Sequence, residues 1–186
     1  MPAKGGSLRL RLIAMAALWC AVALIAAWAV LSALFADQVR RGFDGNLAAQ
    51  LEGVIAASEW RDEGGPSLRR PLPDPRFQQP LSGWYWQISG PDGPVLRSRS
   101  LWDGTLPATE SSPAGGGISY DDVAGPNGAG LRLAARSLTL TGVEGAFLFQ
   151  LAGDSAAVAA DIARFDRLLA VALAILGLGL IAAMVL

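Results

Sequence analysis

The chain has 186 residues, 52% of them hydrophobic and 17% charged, with a formal net charge of -1, no histidine and one cysteine. Soluble domains carry about 25% charged residues, so this balance excludes a protein that is soluble throughout. One thiol excludes an internal disulfide, and without histidine a serine or cysteine nucleophile lacks its usual base and zinc its imidazole ligands.

The apolar excess lies at the two ends. No charged residue occurs from Leu12 to Ala36 or from Leu168 to Leu186, and all 16 acidic residues lie between Asp37 and Asp166. A bilayer core needs about 20 apolar residues as helix, so both stretches read as membrane spans. One medium domain between two spans follows, and a multi-span transporter is excluded. The expected layout is a head over 1–11, a first span over 12–36, a central region over 37–167 and a second span over 168–186. No polar residue follows Leu186 to anchor the second span, so the sequence reads as the leading part of a longer chain.

The head carries Lys4, Arg9 and Arg11 and no acid, which places it in the cytoplasm under the positive-inside rule. Arg40, Arg41, Arg164 and Arg167 flank the spans on the other side and oppose that orientation. If it holds, the central region is periplasmic and the protein sits in a bacterial inner membrane. Ala27-Trp28-Ala29 has the form of a signal-peptidase site, but the apolar stretch exceeds the roughly 7–15 residues of a signal core. Cys20 lacks the small residues before it that lipidation needs; it reads as a packed or lipid-facing thiol.

Beyond the first span, Phe35, Val39, Phe43, Leu47, Leu51 and Ile55 recur every four residues, with charges on the other faces. The spacing predicts an amphipathic stalk over 37–60. Gly42, Gly45 and Gly53 weaken such a helix by roughly 1 kcal/mol each relative to alanine, which tertiary or subunit contacts would offset. Residues 61–80, rich in proline and glycine, read as a loop. Trp84, Trp86 and Ile88 then alternate with Tyr85, Gln87 and Ser89; a turn at Pro91-Asp92-Gly93 and a resumed alternation over 95–100 predict a hairpin. The low-complexity stretch 107–117 reads as a mobile insertion without a core of its own. Strands are predicted over 118–123, 131–140 and 146–152. Asp154 is placed to cap an exit helix over 154–167, in which Val158, Ile162 and Phe165 share a face that runs into the second span.

Leu8-Arg9-Leu10-Arg11, the alanine-rich first span, Phe43-Asp44, the run Pro80 to Ile88, Leu96 to Asp103 and Ala152-Gly153-Asp154 together resemble the input half of bacterial two-component sensor histidine kinases. The resemblance implies an α+β, PAS-like domain of about five antiparallel strands with flanking helices, anchored between two transmembrane helices. It also implies a HAMP linker, a phospho-acceptor histidine and an ATP-binding domain further along. With no histidine and no phosphate-cradling loop, this chain would hold no cofactor; ATP and magnesium belong to the kinase region. The implied partners are the lipid bilayer, a second copy in a homodimer and a cytoplasmic response regulator, with no nucleic acid. Two other outputs fit the same layout: a chemoreceptor or cyclic-dinucleotide enzyme, and a two-span interaction protein with no enzyme attached.

No catalytic residue is expected. Asp121 and Asp122, with Asp103 and Glu110 upstream, read as a solvated acidic face; as a cation site they fall short of the 6–8 oxygens calcium takes. Arg97 and Arg99, expected on one strand face, and Arg132 and Arg136 on a neighbour could hold a carboxylate or phosphate bidentately. The plainer reading pairs them with local acids. Trp84, Trp86 and Trp102 could floor a pocket, but large aromatics alternating on a strand read first as core. Phe43, Leu47 and Leu51 on the stalk and Val158, Ile162 and Phe165 on the exit helix are the expected signal-coupling residues.

Overall fold

The computed structural model describes residues 5–61, 65–107, 116–126, 128–139 and 145–185. Helix α1 runs unbroken over Gly5–Ala57. No proline lies between Pro2 and Pro66 to interrupt it, and its alanines and leucines are strong helix formers. Helix α2 spans Ala156–Val185; the Asp154 carboxylate accepts the Ala156 N–H at 2.7 Å at its start. Both helices are long and apolar enough to cross a membrane, over the 47 residues Arg11–Ala57 and the 28 residues Ala156–Ala183. The first far exceeds the roughly 20 residues that a span needs.

The stalk helix predicted to residue 60 ends at Ala57. Its last carbonyls find partners there: Ser58 Oγ donates to Ile55 O at 2.7 Å and Arg69 N to Ala57 O at 2.8 Å, which satisfies groups a helix end leaves open. Residues 58–61 instead form strand β1 (Ser58–Arg61), paired antiparallel with β2 (Gly65–Leu68). The predicted loop 61–80 therefore contains a strand, and also a 3-10 turn over Pro75–Gln78 capped by Asp74. Four-residue strands carry too little alternation to show in a sequence; the partner strand defines them.

The main sheet contains β3 (Trp84–Gly90), β4 (Gly93–Arg97), β5 (Ser119–Ala124), β6 (Gly130–Thr139) and β7 (Ala146–Asp154). Its order is β4-β3-β7-β6-β5, with every neighbouring pair antiparallel. The fold is α+β. Residue 140, at the end of the strand predicted over 131–140, and most of the insertion 107–117 lie outside the described residues.

The chain forms two compact units, Arg41–Ala157 and the helical pair Met1–Arg40 with Val158–Leu186. In the first, Leu47, Leu51 and Val54 of α1 are fully buried against Trp86, Ile88, Phe149 and Leu151 on one sheet face. A strict four-residue repeat drifts about 40° per step around a helix of 3.6 residues per turn. The buried line accordingly passes from Leu51 to Val54 and leaves Ile55 at the margin. The other face buries Tyr85, Leu131, Leu133 and Ala152 beneath Leu101 and Leu106. Two buried glutamines fasten that cover: Gln87 Oε1 accepts Leu106 N at 2.9 Å and Gln150 Nε2 donates to Pro107 O at 2.8 Å.

In the helical pair, half-buried residues recur at helical spacing, at Cys20, Leu24, Ala27, Phe35 and Val39 on α1 and at Val158, Ile162, Phe165, Leu169, Leu173 and Gly177 on α2. From Leu12 to Leu34 and from Leu168 to Ile181 the outward side chains are apolar; Trp19, Ile25, Leu168, Ile175 and Leu178 are 66–70% exposed, a surface suited to hydrocarbon.

Gly153 sets how closely α1 approaches the sheet. A Cβ there would lie 3.0 Å from Phe43 Cζ, 3.1 Å from Trp84 Cη2 and 3.2 Å from Leu47 Cδ2. Gly153→Val should lower stability by about 1–3 kcal/mol, the range for overpacking a filled core. Thermal unfolding beside Gly45→Ala, where a Cβ meets open space, checks this; equal melting temperatures would refute the close approach.

Candidate functional site

Two ion-pair groups tie α1 to strand β6. Arg132 donates through Nε and Nη2 to the two Asp44 oxygens at 2.9 and 3.0 Å, and its Nη1 lies 3.4 Å from Asp122 Oδ1. Arg136 Nη1 donates to Glu52 Oε1. The spacings match. Eight residues of helix from Asp44 to Glu52 rise about 12 Å, and four residues of strand from Arg132 to Arg136 rise about 13 Å, so the helix can run along β6 with both pairs closed. The Tyr120 ring lies 5.7 Å from the Arg132 guanidinium. Burial pushes the Tyr120 phenol up, the Asp44 charge adds to this and Arg132 opposes it. The hydrogen bond to Asp44 raises the Arg132 pKa further.

Arg132 and Arg136 thus serve structural pairs, as the plainer sequence reading had it. Asp121 and Asp122 are adjacent on a strand, so their side chains point to opposite faces; Asp122 meets Arg132, and Asp121 keeps a buried oxygen without a hydrogen-bond partner. Among the described residues no group of three or more His, Cys, Asp or Glu side chains could hold a metal ion.

Trp86 is buried in the core, and the half-buried Trp84 meets Phe43 edge-on with ring centroids 5.8 Å apart. The Arg76 guanidinium stands 3.9 Å from the Trp84 ring centroid while it chelates Asp74 through Nε and Nη2. That hydrogen bonding, the largest influence, holds the Asp74 carboxyl below its ordinary value despite partial burial. Sequence reading missed this cluster because it sits in a stretch that read only as loop.

Trp102 departs from expectation: it is 63% exposed, not core. The predicted strand 95–100 stops at Arg97, and a 3-10 turn, Arg99–Leu101, follows. Arg97 and Arg99 therefore do not share a strand face. They are nonetheless brought together with Ser98, Trp102 and Asp103 around an open cleft of about 330 Å³. Its floor is rigid. Ser98 N donates to Trp86 O at 2.8 Å, Trp86 N to Ser98 Oγ at 3.1 Å and Ser100 Oγ to Trp84 O at 2.6 Å. Arg97 Nη1 donates to Gly104 O at 3.0 Å and Asp103 O at 3.4 Å. Arg132 lies on the opposite sheet face from Arg97: Arg132 pairs across β6 and β7 with Gly153 on the helix side, whereas Arg97 lies across from Gln87.

The expected coupling residues divide. Phe43, Leu47 and Leu51 pack on the sheet. Phe165 stacks on Phe35 with ring centroids 3.9 Å apart and an interplanar angle of 15°. Beside that stack, Ser32 Oγ donates to Asp166 Oδ1 at 2.5 Å. Val158 and Ile162 share Phe165's half-buried face.

Comparison with protein-family models, curated proteins and solved structures finds no match.

Two outcomes follow. Asp74 has a folded-state pKa below its ordinary 3.8, so its contribution to stability is fully present above that value and is lost as pH falls through the lowered one. Asp74→Asn should flatten the acid limb of the melting temperature against pH; an unchanged limb would exclude the pair as its cause. Asp44→Asn and Arg132→Met should be non-additive in urea unfolding, with a coupling of about 0.5–3 kcal/mol. Additive losses would show that the bidentate pair contributes nothing.

Proposed function

We propose that the chain is the signal-input and membrane-coupling portion of a two-component sensor histidine kinase, with the sheet unit as a PAS-like sensor outside the inner membrane. One observation carries the reading. The last turns of a membrane-competent helix supply the fully buried Leu47, Leu51 and Val54 to the sheet's core, and the central strand β7 passes through Ser155 alone into the other such helix. A stimulus that repacks the sheet acts on segments covalently continuous with both helices.

A five-stranded antiparallel sheet with its first and last strands adjacent, and a helix across one face, supports the PAS-like assignment. Lys4, Arg9 and Arg11 support a cytoplasmic head. Gly42, Gly45 and Gly53 leave open space on α1, room for a second copy in a homodimer. In this reading a cytoplasmic kinase region takes phosphate from ATP with magnesium, forms phosphohistidine and passes it to an aspartate of a response regulator. The residues of the present chain contribute binding and mechanical coupling, not the transfer itself.

The test uses the full-length gene product in vesicles with labelled ATP. The expected result is an acid-labile phosphohistidine whose level changes about two- to tenfold in Phe165→Ala, since an aromatic stack worth about 0.5–1.5 kcal/mol shifts a two-state ratio by that factor. A full-length protein that carries another output module, or none, would overturn the kinase assignment. Phosphorylation indifferent to both Phe165→Ala and Leu47→Ala would overturn the coupling.

A further inference from the structure

The turn that closes the Arg97–Asp103 cleft has the wrong residue for its shape. Trp102 has φ 55 and ψ -113, and Gly104 N donates to Leu101 O at 2.9 Å across it. These are the dihedral signs and closing bond of a type II′ turn, whose first central position calls for glycine. A bulky non-glycine residue in such a region is strained. Buried aromatics can offset that cost through packing, but this indole is 63% exposed. The backbone is held there from both sides, by the buried Leu101 and Leu106 and by the Arg97 bonds to the carbonyls of Asp103 and Gly104. The fold therefore spends local strain on displaying an indole beside charged groups.

Those groups define the ligand. Among the described residues Arg99 has no hydrogen bond or ion pair at its guanidinium, and Arg97 uses only Nη1. Guanidinium groups take carboxylates or phosphates through paired, charge-assisted hydrogen bonds, and an indole face offers a planar apolar platform. Asp103 offsets one of the two positive charges, which matches a single negative charge better than a phosphate dianion. We propose that this cleft binds a small monocarboxylate carried on a planar, apolar body, with Arg99 as the anchor of the carboxylate and Trp102 as the stacking surface. The binding claim rests on the cleft alone; its role as the stimulus rests on the input-module reading.

Calorimetric titration of the full chain in detergent micelles with sodium benzoate tests it, with inorganic phosphate and benzylamine as comparisons. Saturable binding of benzoate is expected, weaker binding of phosphate and none of benzylamine. Arg99→Ala should weaken benzoate binding at least about tenfold, the loss expected of one charge-assisted contact. Trp102→Gly should do the same while raising the melting temperature, because glycine relieves the turn; a tryptophan held for packing would give the opposite thermal shift. Absence of saturable benzoate binding, binding unchanged in Trp102→Gly, a lowered melting temperature in that variant, or phosphate bound as tightly as benzoate would each overturn the proposal. None of these readouts uses kinase output, so the failure of either reading leaves the other standing.

Discussion

Everything in the sheet unit depends on the close approach of α1 to strands β3 and β7 at Gly153. Leu47 reaches full burial because nothing larger than hydrogen stands on β7 at Gly153, where it crosses the strand. Phe43 and Trp84 close the end of the same seam. Each fully buried leucine contributes about 1.5–3 kcal/mol relative to an exposed one, so this one line of contacts outweighs any single polar interaction in the unit. The seam also fixes which helix residues face the sheet, and hence which carboxylates reach β6.

The ion pairs at Asp44–Arg132 and Glu52–Arg136 act within that frame. Half-exposed pairs contribute little to net stability, roughly 0–1 kcal/mol each, and they would not by themselves hold a helix on a sheet. Their geometry does something the apolar contacts cannot. Leucines tolerate a small slide along the helix axis, whereas a bidentate guanidinium–carboxylate pair does not. Two pairs spaced about 12 Å apart along the helix therefore set its register along β6. Burial supplies the adhesion and charge supplies the alignment.

The large features were legible because each had a strong period. The charge-free ends, the four-residue stripe on α1 and the alternation of Trp84, Trp86 and Ile88 stand well above background. Features set by partners far along the chain were not legible. β1 and β2 are defined by each other, and the end of α1 at Ala57 depends on Arg69. Arg97 and Arg99 looked like one strand face because alternation continues past the strand; the buried Ser98 and Ser100 hydroxyls turn the chain into a 3-10 turn instead. Trp102 read as core because composition cannot reveal a positive φ. A signal was available in the order Leu101-Trp102-Asp103-Gly104, an acid and a glycine just after a large aromatic, which suits a turn better than a core strand.

The membrane-competent part of α1 is helical for a different reason from the rest. From Leu12 to Ala36 alanine and leucine favour the helix and, in lipid, every backbone group must be paired internally. From Gly42 onward three glycines each cost about 1 kcal/mol, and among the described residues nothing lies within 4 Å of where a Cβ would stand at Gly42, Gly45 or Gly53. That stretch stays helical chiefly because Leu47, Leu51 and Val54 are buried by the sheet. Its helicity is thus conditional on tertiary packing. A change in the sheet's core would therefore alter the order of this stretch of α1. Alanines at the glycine positions would make the helicity of that stretch less dependent on the sheet.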